Sequence, residues 1–224
     1  MGQVVSQFIA DYGELLVEGV RDTIIMTAVA TLLAYVIGLP VGVLLITSAK
    51  KGIRPNAPLN TVLGWIVNIV RSVPFIILLV AIIPFTRLVT GTSIGTWAAV
   101  VPLTLASAPF IARLVETALR EVDHGLVEAA QSMGASTWQI VWKVLLPEAL
   151  PGIVAGLTIS FVSLTGYSAM AGAVGGGGLG DLGIRYGYQR FLPDVMLAVV
   201  LILIVFVQAI QSLGDWAVRR LSHR

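Results

Sequence analysis

Residues 128–147 read EAAQSMGASTWQIVWKVLLP, a polar, glycine-interrupted segment between two apolar runs, 96–118 and 150–174. That contrast decides the fold. About 20 apolar residues carry a helix across about 30 Å of hydrocarbon. Each flanking run reaches that length, and 24–47, 59–85 and 193–218 are three further runs of the same kind. The segment itself is too polar to cross and reads as a docking element. Hydrophobic residues make up 57% of the chain and charged residues 12%, with a mean hydropathy of +0.92, values outside the range of soluble domains. The expected class is an all-α integral membrane protein with five transmembrane helices. A β-barrel would show short alternating segments in place of these long runs.

Orientation follows from the basic residues, because Lys and Arg are retained on the cytoplasmic side of short loops. Lys50, Lys51 and Arg54 follow the first run, Arg120 and Lys143 follow the third, and Arg219, Arg220 and Arg224 follow the fifth. The opposite side carries Arg21, Arg87, Arg185 and Arg190. The N-terminus is therefore expected outside and the C-terminus inside, with 119–149 as the longest cytoplasmic loop. Residues 1–22 hold Val5, Phe8, Ile9, Tyr12, Leu15 and Leu16 mixed with Asp11, Glu14 and Glu18. They predict an amphipathic helix at the membrane interface or an acidic frayed tail. They have no basic n-region or small-residue cleavage site, so a removable signal peptide is not expected. Residues 23–218 form the membrane domain and 219–224 a cytoplasmic tail.

The loop at 119–149 has its own local logic. Glu128-Ala129-Ala130 is expected to open a helical turn, Gly134 suits the left-handed residue that ends a helix, and Ser136 with Gln139 fits a capping box. Ile140, Val141, Val144 and Leu145 continue an apolar helical face, and Pro147 is expected to prevent simple continuation into the next span. Small residues at Ala129, Ala130, Gly134 and Ala135 would let a partner's backbone come close, and Glu128 offers one exposed carboxylate. A helix-in-groove interface needs those features.

The spacing Glu-Ala-Ala, three residues, Gly, nine residues, Val-x-Leu-Pro resembles the EAA loop of ATP-binding-cassette importer permeases, with Val144 where that family favours Ile. Glu128, Ala129, Ala130, Gly134 and Pro147 are the matching positions. Several other segments resemble the methionine-importing subfamily: RSVPFIILL from Arg71, IPFTR from Ile83, GTSIG from Gly91, APFIAR from Ala108 and GYSAM from Gly166. The resemblance implies a type I importer permease fold. It also implies a homodimer of permeases, two copies of an ATPase that bind ATP and magnesium, and an extracytoplasmic methionine-binding protein, often lipid-anchored. The location it implies is a bacterial inner membrane, with methionine imported by alternating access. The loop would then seat in a cleft of the ATPase, and ATP binding would favour the outward-facing state. A permease for another amino acid or a methionine derivative, or an ion-coupled carrier, are the competing readings.

Elementary chemistry agrees with that division of labour. The chain has no Gly-x4-Gly-Lys-Ser/Thr phosphate loop, so the expectation is that it is no enzyme and holds no cofactor. A secondary carrier is expected to place acids or histidines inside its spans, and these runs hold almost none. Arg71, in the second run, either snorkels toward the cytoplasmic side or makes a polar contact within the bundle, and Arg113 is spaced to pair with Glu116. Ser160, Ser163, Thr165, Tyr167, Ser168 and Met170 add polar and adaptable groups to the fourth run, so Ser163, Tyr167, Ser168 and Met170 are the candidate pathway residues, with Tyr167 and Met170 at a gate. The same small residues would equally serve helix association. Gly175 to Gly178 and Gly180 lack the lysine of a nucleotide loop and read as an outer turn leading to Tyr186, Tyr188 and Phe191. His124 and His223 are isolated and no metal site is expected. The chain has no cysteine. The basic residues are spread along the membrane edges, which gives no reason to expect nucleic-acid binding.

Overall fold

In a computed structural model, residues 2–222 are described, with side chains from Ser6 onward; Val5's side chain, His223 and Arg224 lie outside the described residues. The described part is helical. In chain order the elements are α1 (Gly2–Ser48), α2 (Ala57–Ser72), α3 (Phe75–Ala81), α4 (Ile83–Thr90), α5 (Thr96–Arg120), α6 (His124–Ser132) and α7 (Thr137–Ile140). A π turn (Val141–Leu145) leads into α8 (Leu146–Glu148) and α9 (Leu150–Gly172). Then come α10 (Gly178–Leu182), a second π segment (Gly183–Gln189) and α11 (Pro193–Leu221).

Four helices are long and apolar enough to cross a membrane, and α2 with α3 supplies a fifth candidate if that pair is one broken span. The run at 59–85 is not one continuous helix. Its two helices meet at a bend of 99°. The cause is local: Pro74 has no N–H to continue the ladder, and it holds Val73 in an extended conformation at φ −83°, ψ 124°.

The chain divides into two compact units. The first takes in the described parts of Met1–Thr31, with Pro74–Thr104 and Phe161–Ile210. Its core is Leu179, Leu182, Val195 and Val199, against which Phe8, Tyr12, Leu15 and Leu16 pack. The expected interfacial helix is thus part of α1, which runs unbroken through the predicted boundary at 22/23. Phe8, Tyr12, Leu15 and Leu16 of its apolar stripe are partly covered by protein, while Ile9 remains exposed. The glycine run forms a turn, with Gly175, Gly177 and Gly178 all at positive φ. A Cβ on Gly178 would meet Met26 and Thr23, and the Thr23 hydroxyl accepts a hydrogen bond from the Leu179 N–H at 2.9 Å. After the turn, Arg185 donates to the buried Asp181 carboxylate, and that hydrogen bond raises the arginine's pKa above its ordinary value.

The second unit comprises Leu32–Val73, Leu105–Ser160 and Gln211–Arg224, of which 211–222 are described. Here α1 and α5 come into backbone contact. A Cβ at Gly38 would lie 2.7 Å from the Ala108 carbonyl oxygen, and one at Gly42 would lie 2.7 Å from that of Ala112. The spacing Gly-x3-Gly is the small-residue pattern that lets membrane helices approach closely. Replacing Gly42 by valine is predicted to destabilise this unit by at least about 1–3 kcal/mol, because a backbone oxygen cannot rotate away. Lower folded yield and a lower unfolding midpoint in detergent are the readouts. Gly166→Ala, whose Cβ would meet nothing within 4 Å, is the control expected to leave both unchanged.

Candidate functional site: the 119–149 segment and the α9 face

The 119–149 segment begins with a charged knot at the end of α5. Glu116 is buried, and its two carboxylate oxygens accept from Arg113 and Arg120, each at 2.6 Å. Arg113 also donates to Asn68 Oδ1 at 3.0 Å, tying α5 to α2. The pairing with Arg113 is the one the spacing predicts; Arg120 and Asn68 are additions. Arg71 is exposed, and its guanidinium lies 6.0 Å from the Phe110 ring centroid, a polar contact within its own unit.

Beyond the knot, Asp123 caps α6 by accepting from the Gly125 N–H at 2.8 Å. The helix therefore starts at His124, four residues before the expected opening at Glu128. It ends in a Schellman motif. The Ala135 N–H donates to the Ala130 carbonyl at 3.0 Å and the Gly134 N–H to that of Gln131 at 2.9 Å, with Gly134 left-handed at φ 77°. Ser136 and Gln139 then form the reciprocal capping box. The segment is two short helices joined at a glycine, as the spacing suggests.

Pro147 does not stop the chain. The π turn before it adds a residue to the helical repeat, with the Leu146 N–H bonded to the Val141 carbonyl, and this widening makes room for the proline ring. The Ala149 N–H donates to Leu145 and the Ile153 N–H to Ala149, each at 2.9 Å. Helical hydrogen bonding therefore passes from α7 into α9.

The two faces of this segment have different tasks. Val127, Ala130, Ile140, Val141 and Leu145 are buried in one core with Ala34, Ile111, Val115, Ala118, Ala149 and Ile153. Ala130 and Ala135 were expected to admit a partner's backbone. Instead Ala130 is buried and Ala135 packs on this same core, so their small size serves the chain's own interior. Glu128, Ala129 and Gly134 are exposed, and Glu128 makes no ion pair among the described residues. Beside them stand large apolar groups that the sequence reading passed over as a surface: Met133 at 81% exposure, Trp138 at 69% and Trp142 at 52%. The two indoles meet edge to face at 5.3 Å. Their signal in the sequence was two tryptophans and a methionine in a polar loop, a composition favoured at interface hot spots.

The α9 candidates separate in the same way. Ser163, Gly166 and Met170 fall on one helical stripe of α9, with Gly166 and Met170 exposed and Ser163 partly so, and Val174, in the turn after the helix, is also exposed. Tyr167 lies beside the stripe and stacks on Phe75 at 4.8 Å and 11°. Ser168 is buried, and its hydroxyl donates to the Thr165 carbonyl at 2.7 Å. That hydrogen bond stays within its own helix.

Comparison with known proteins gives a consistent result. A family model described as "Binding-protein-dependent transport system inner membrane component" matches residues 38–224. A Vibrio cholerae protein named "Probable D-methionine transport system permease protein MetI" is 56% identical over 220 residues, covering 98% of each chain. The Escherichia coli K12 protein named "D-methionine transport system permease protein MetI" is 59% identical over 158 residues, covering 70% of this chain and 73% of that one. A solved structure of inward-facing conformations of the MetNI methionine ABC transporter superposes with a TM-score of 0.94 at 54% identity, over 95% of this chain and 99% of that one.

Valine at Gly134 is predicted to disrupt the helix–helix joint by about 1–2 kcal/mol, because a β-branched residue resists a left-handed backbone. Asparagine there should be tolerated. Comparing detergent stability and transport of the two variants checks this, and a fully stable, active valine variant would show that the joint does not need φ 77°.

Proposed function

Because the chain belongs to the family of binding-protein-dependent transport system inner membrane components, we propose that it is the permease subunit of an ATP-driven importer of methionine, L or D. In this reading two copies form the pathway and two ATPase subunits, carrying ATP and magnesium, drive it. An extracytoplasmic methionine-binding protein or lipoprotein delivers the substrate. The chain lies in a bacterial cytoplasmic membrane with five spans, the fifth being the bent α2–α3 pair, and with the N-terminus outside and the C-terminus inside.

The observation that carries the reading is the two-faced 119–149 segment. One face is fixed in the core of its unit by Val127, Ala130, Ile140, Val141 and Leu145, and the other presents Glu128, Ala129, Met133, Trp138 and Trp142. An ATPase that grips the exposed face moves the buried face with it, since a close-packed core transmits displacement. Helical bonding through the π turn extends that displacement into α9. Met170 and Tyr167 then act at a gate, with Ser163 and Gly166 along the route. Met170 is suited to the task because a flexible thioether adapts to a passing side chain.

Membrane vesicles containing the complete transporter test the reading through labelled methionine uptake. Uptake is expected to require ATP and to persist when ion gradients are collapsed; uptake driven by an ion gradient without ATP would replace the importer with an ion-coupled carrier. Within that assay, Glu128→Lys should weaken ATPase attachment or uncouple hydrolysis from uptake, because it reverses the charge at the docking face. Met170→Trp should block uptake while leaving dimer and ATPase assembly intact. Wild-type uptake by the tryptophan variant would remove Met170 from the gate.

A further inference from the structure

A cavity of about 810 Å³ opens beside α6 within the second unit, and the coupling role uses only the Glu128 end of it. One wall is the end of α1 and the loop after it, from Ile46 and Thr47 through Ala49, Lys50, Lys51, Gly52 and Ile53. The others are the end of α5 and the inner side of α6, with Leu145 also lining the cavity. Its volume falls within the range of small-molecule sites.

Three properties define what would fit. Lys50, Lys51, Arg120 and His124 line the cavity with a single acid, Glu128; Arg120 is held by Glu116, and neither lysine has an ion-pair partner among the described residues. Behind the charges, Ile46, Ile53, Leu119, Val122, Val127 and Leu145 make an apolar lining. The cavity also sits where two apolar helices, α1 and α5, end, which is headgroup depth for a chain that lies in a membrane. The lysine loop is pre-formed: the Gly52 N–H donates to Ala49 at 2.8 Å, Arg54 to Thr47 at 3.0 Å and Asn56 to Ser48 at 2.9 Å. A Cβ on Gly52 would collide with the Thr47 carbonyl, so the tight return depends on that glycine.

We infer that this cavity binds the phosphate-bearing headgroup of an anionic phospholipid, with the lysines on the phosphate and the upper acyl or glycerol carbons on the apolar lining. A free phosphate would satisfy the charges but leave the apolar lining unused. Because Val127, Glu128 and Gln131 of α6 form one wall, an occupied site braces the coupling segment at α6. The anionic content of the membrane thereby sets how firmly that segment is held. The inference requires that the chain lies in a membrane and does not depend on which substrate it carries.

The test uses the intact transporter purified in mild detergent, titrated with phosphatidylglycerol or phosphatidylcholine and read by native mass spectrometry and thermal unfolding. Phosphatidylglycerol is expected to bind and raise the unfolding midpoint, with phosphatidylcholine doing neither at the same concentration. The Lys50→Ala/Lys51→Ala double variant should bind it about thirtyfold more weakly, from about fivefold per lysine at a membrane surface. Lys50→Arg/Lys51→Arg should retain binding and shows that loss in the alanine pair comes from charge. Equal binding of both lipids, or unchanged binding by the alanine pair, overturns the inference. Displacement of the lipid by inorganic phosphate assigns the site to free anions and overturns the lipid source. Loss of the ATPase from the alanine pair with lipid binding intact makes the cavity part of the ATPase seat and also overturns it.

Discussion

The burial of Val127, Ala130, Ile140, Val141 and Leu145 in one core with residues of α1, α5 and α9 is the constraint on which the rest depends. A polar loop with no buried face would fluctuate, and force applied to it would be lost in its own bending. Here the loop is an extension of the helical core. Removing apolar area from water or lipid on one side leaves the other side free to be shaped by a partner, and Met133, Trp138 and Trp142 remain exposed there. Val127, Ile140, Val141 and Leu145 each contribute on the order of 1.5–3 kcal/mol, enough together to hold two helices that are too short to persist alone.

Two further features hold the segment in place. The Glu116 carboxylate, shared by Arg113 and Arg120, fixes the point where α5 hands over to the segment; a buried acid without such partners would be strongly unfavourable. At the far end the π turn carries the chain past Pro147 into α9. The segment is thus anchored at both ends as well as along one face, and its glycine joint at Gly134 is held by the Schellman hydrogen bonds.

Much of this was legible from local rules. The capping box at Ser136 and Gln139, the left-handed Gly134 and the apolar face of Ile140 and Val141 each depend on residues within one or two turns, and each stands where the spacing puts it. What was not legible depends on distant neighbours. Phe8, Tyr12, Leu15 and Leu16 pattern as an interfacial helix, and only Leu179, Leu182 and Val195, more than 150 residues away, turn that stripe inward. The burial of Ala130 and Ser168 is equally invisible, because composition does not reveal which side of a helix is covered. The bend at Val73 and Pro74 had a signal, a proline in mid-run, but continuous apolarity on both sides masked it. Gly38 and Gly42 likewise lay in plain spacing, and their meaning came only with Ala108 and Ala112 across from them.

In the proposed mechanism the 119–149 segment and the α9 gate move together. The chain's lack of cysteine allows single spin labels at Met133→Cys or Met170→Cys to report the distance between the two copies in the assembled transporter. The account predicts that ATP, with hydrolysis blocked, shifts the distance at both positions, and that both shifts disappear in the Glu128→Lys background. A shift at Met133 with an unchanged distance at Met170 would contradict it, because the docking surface would then move without carrying the gate.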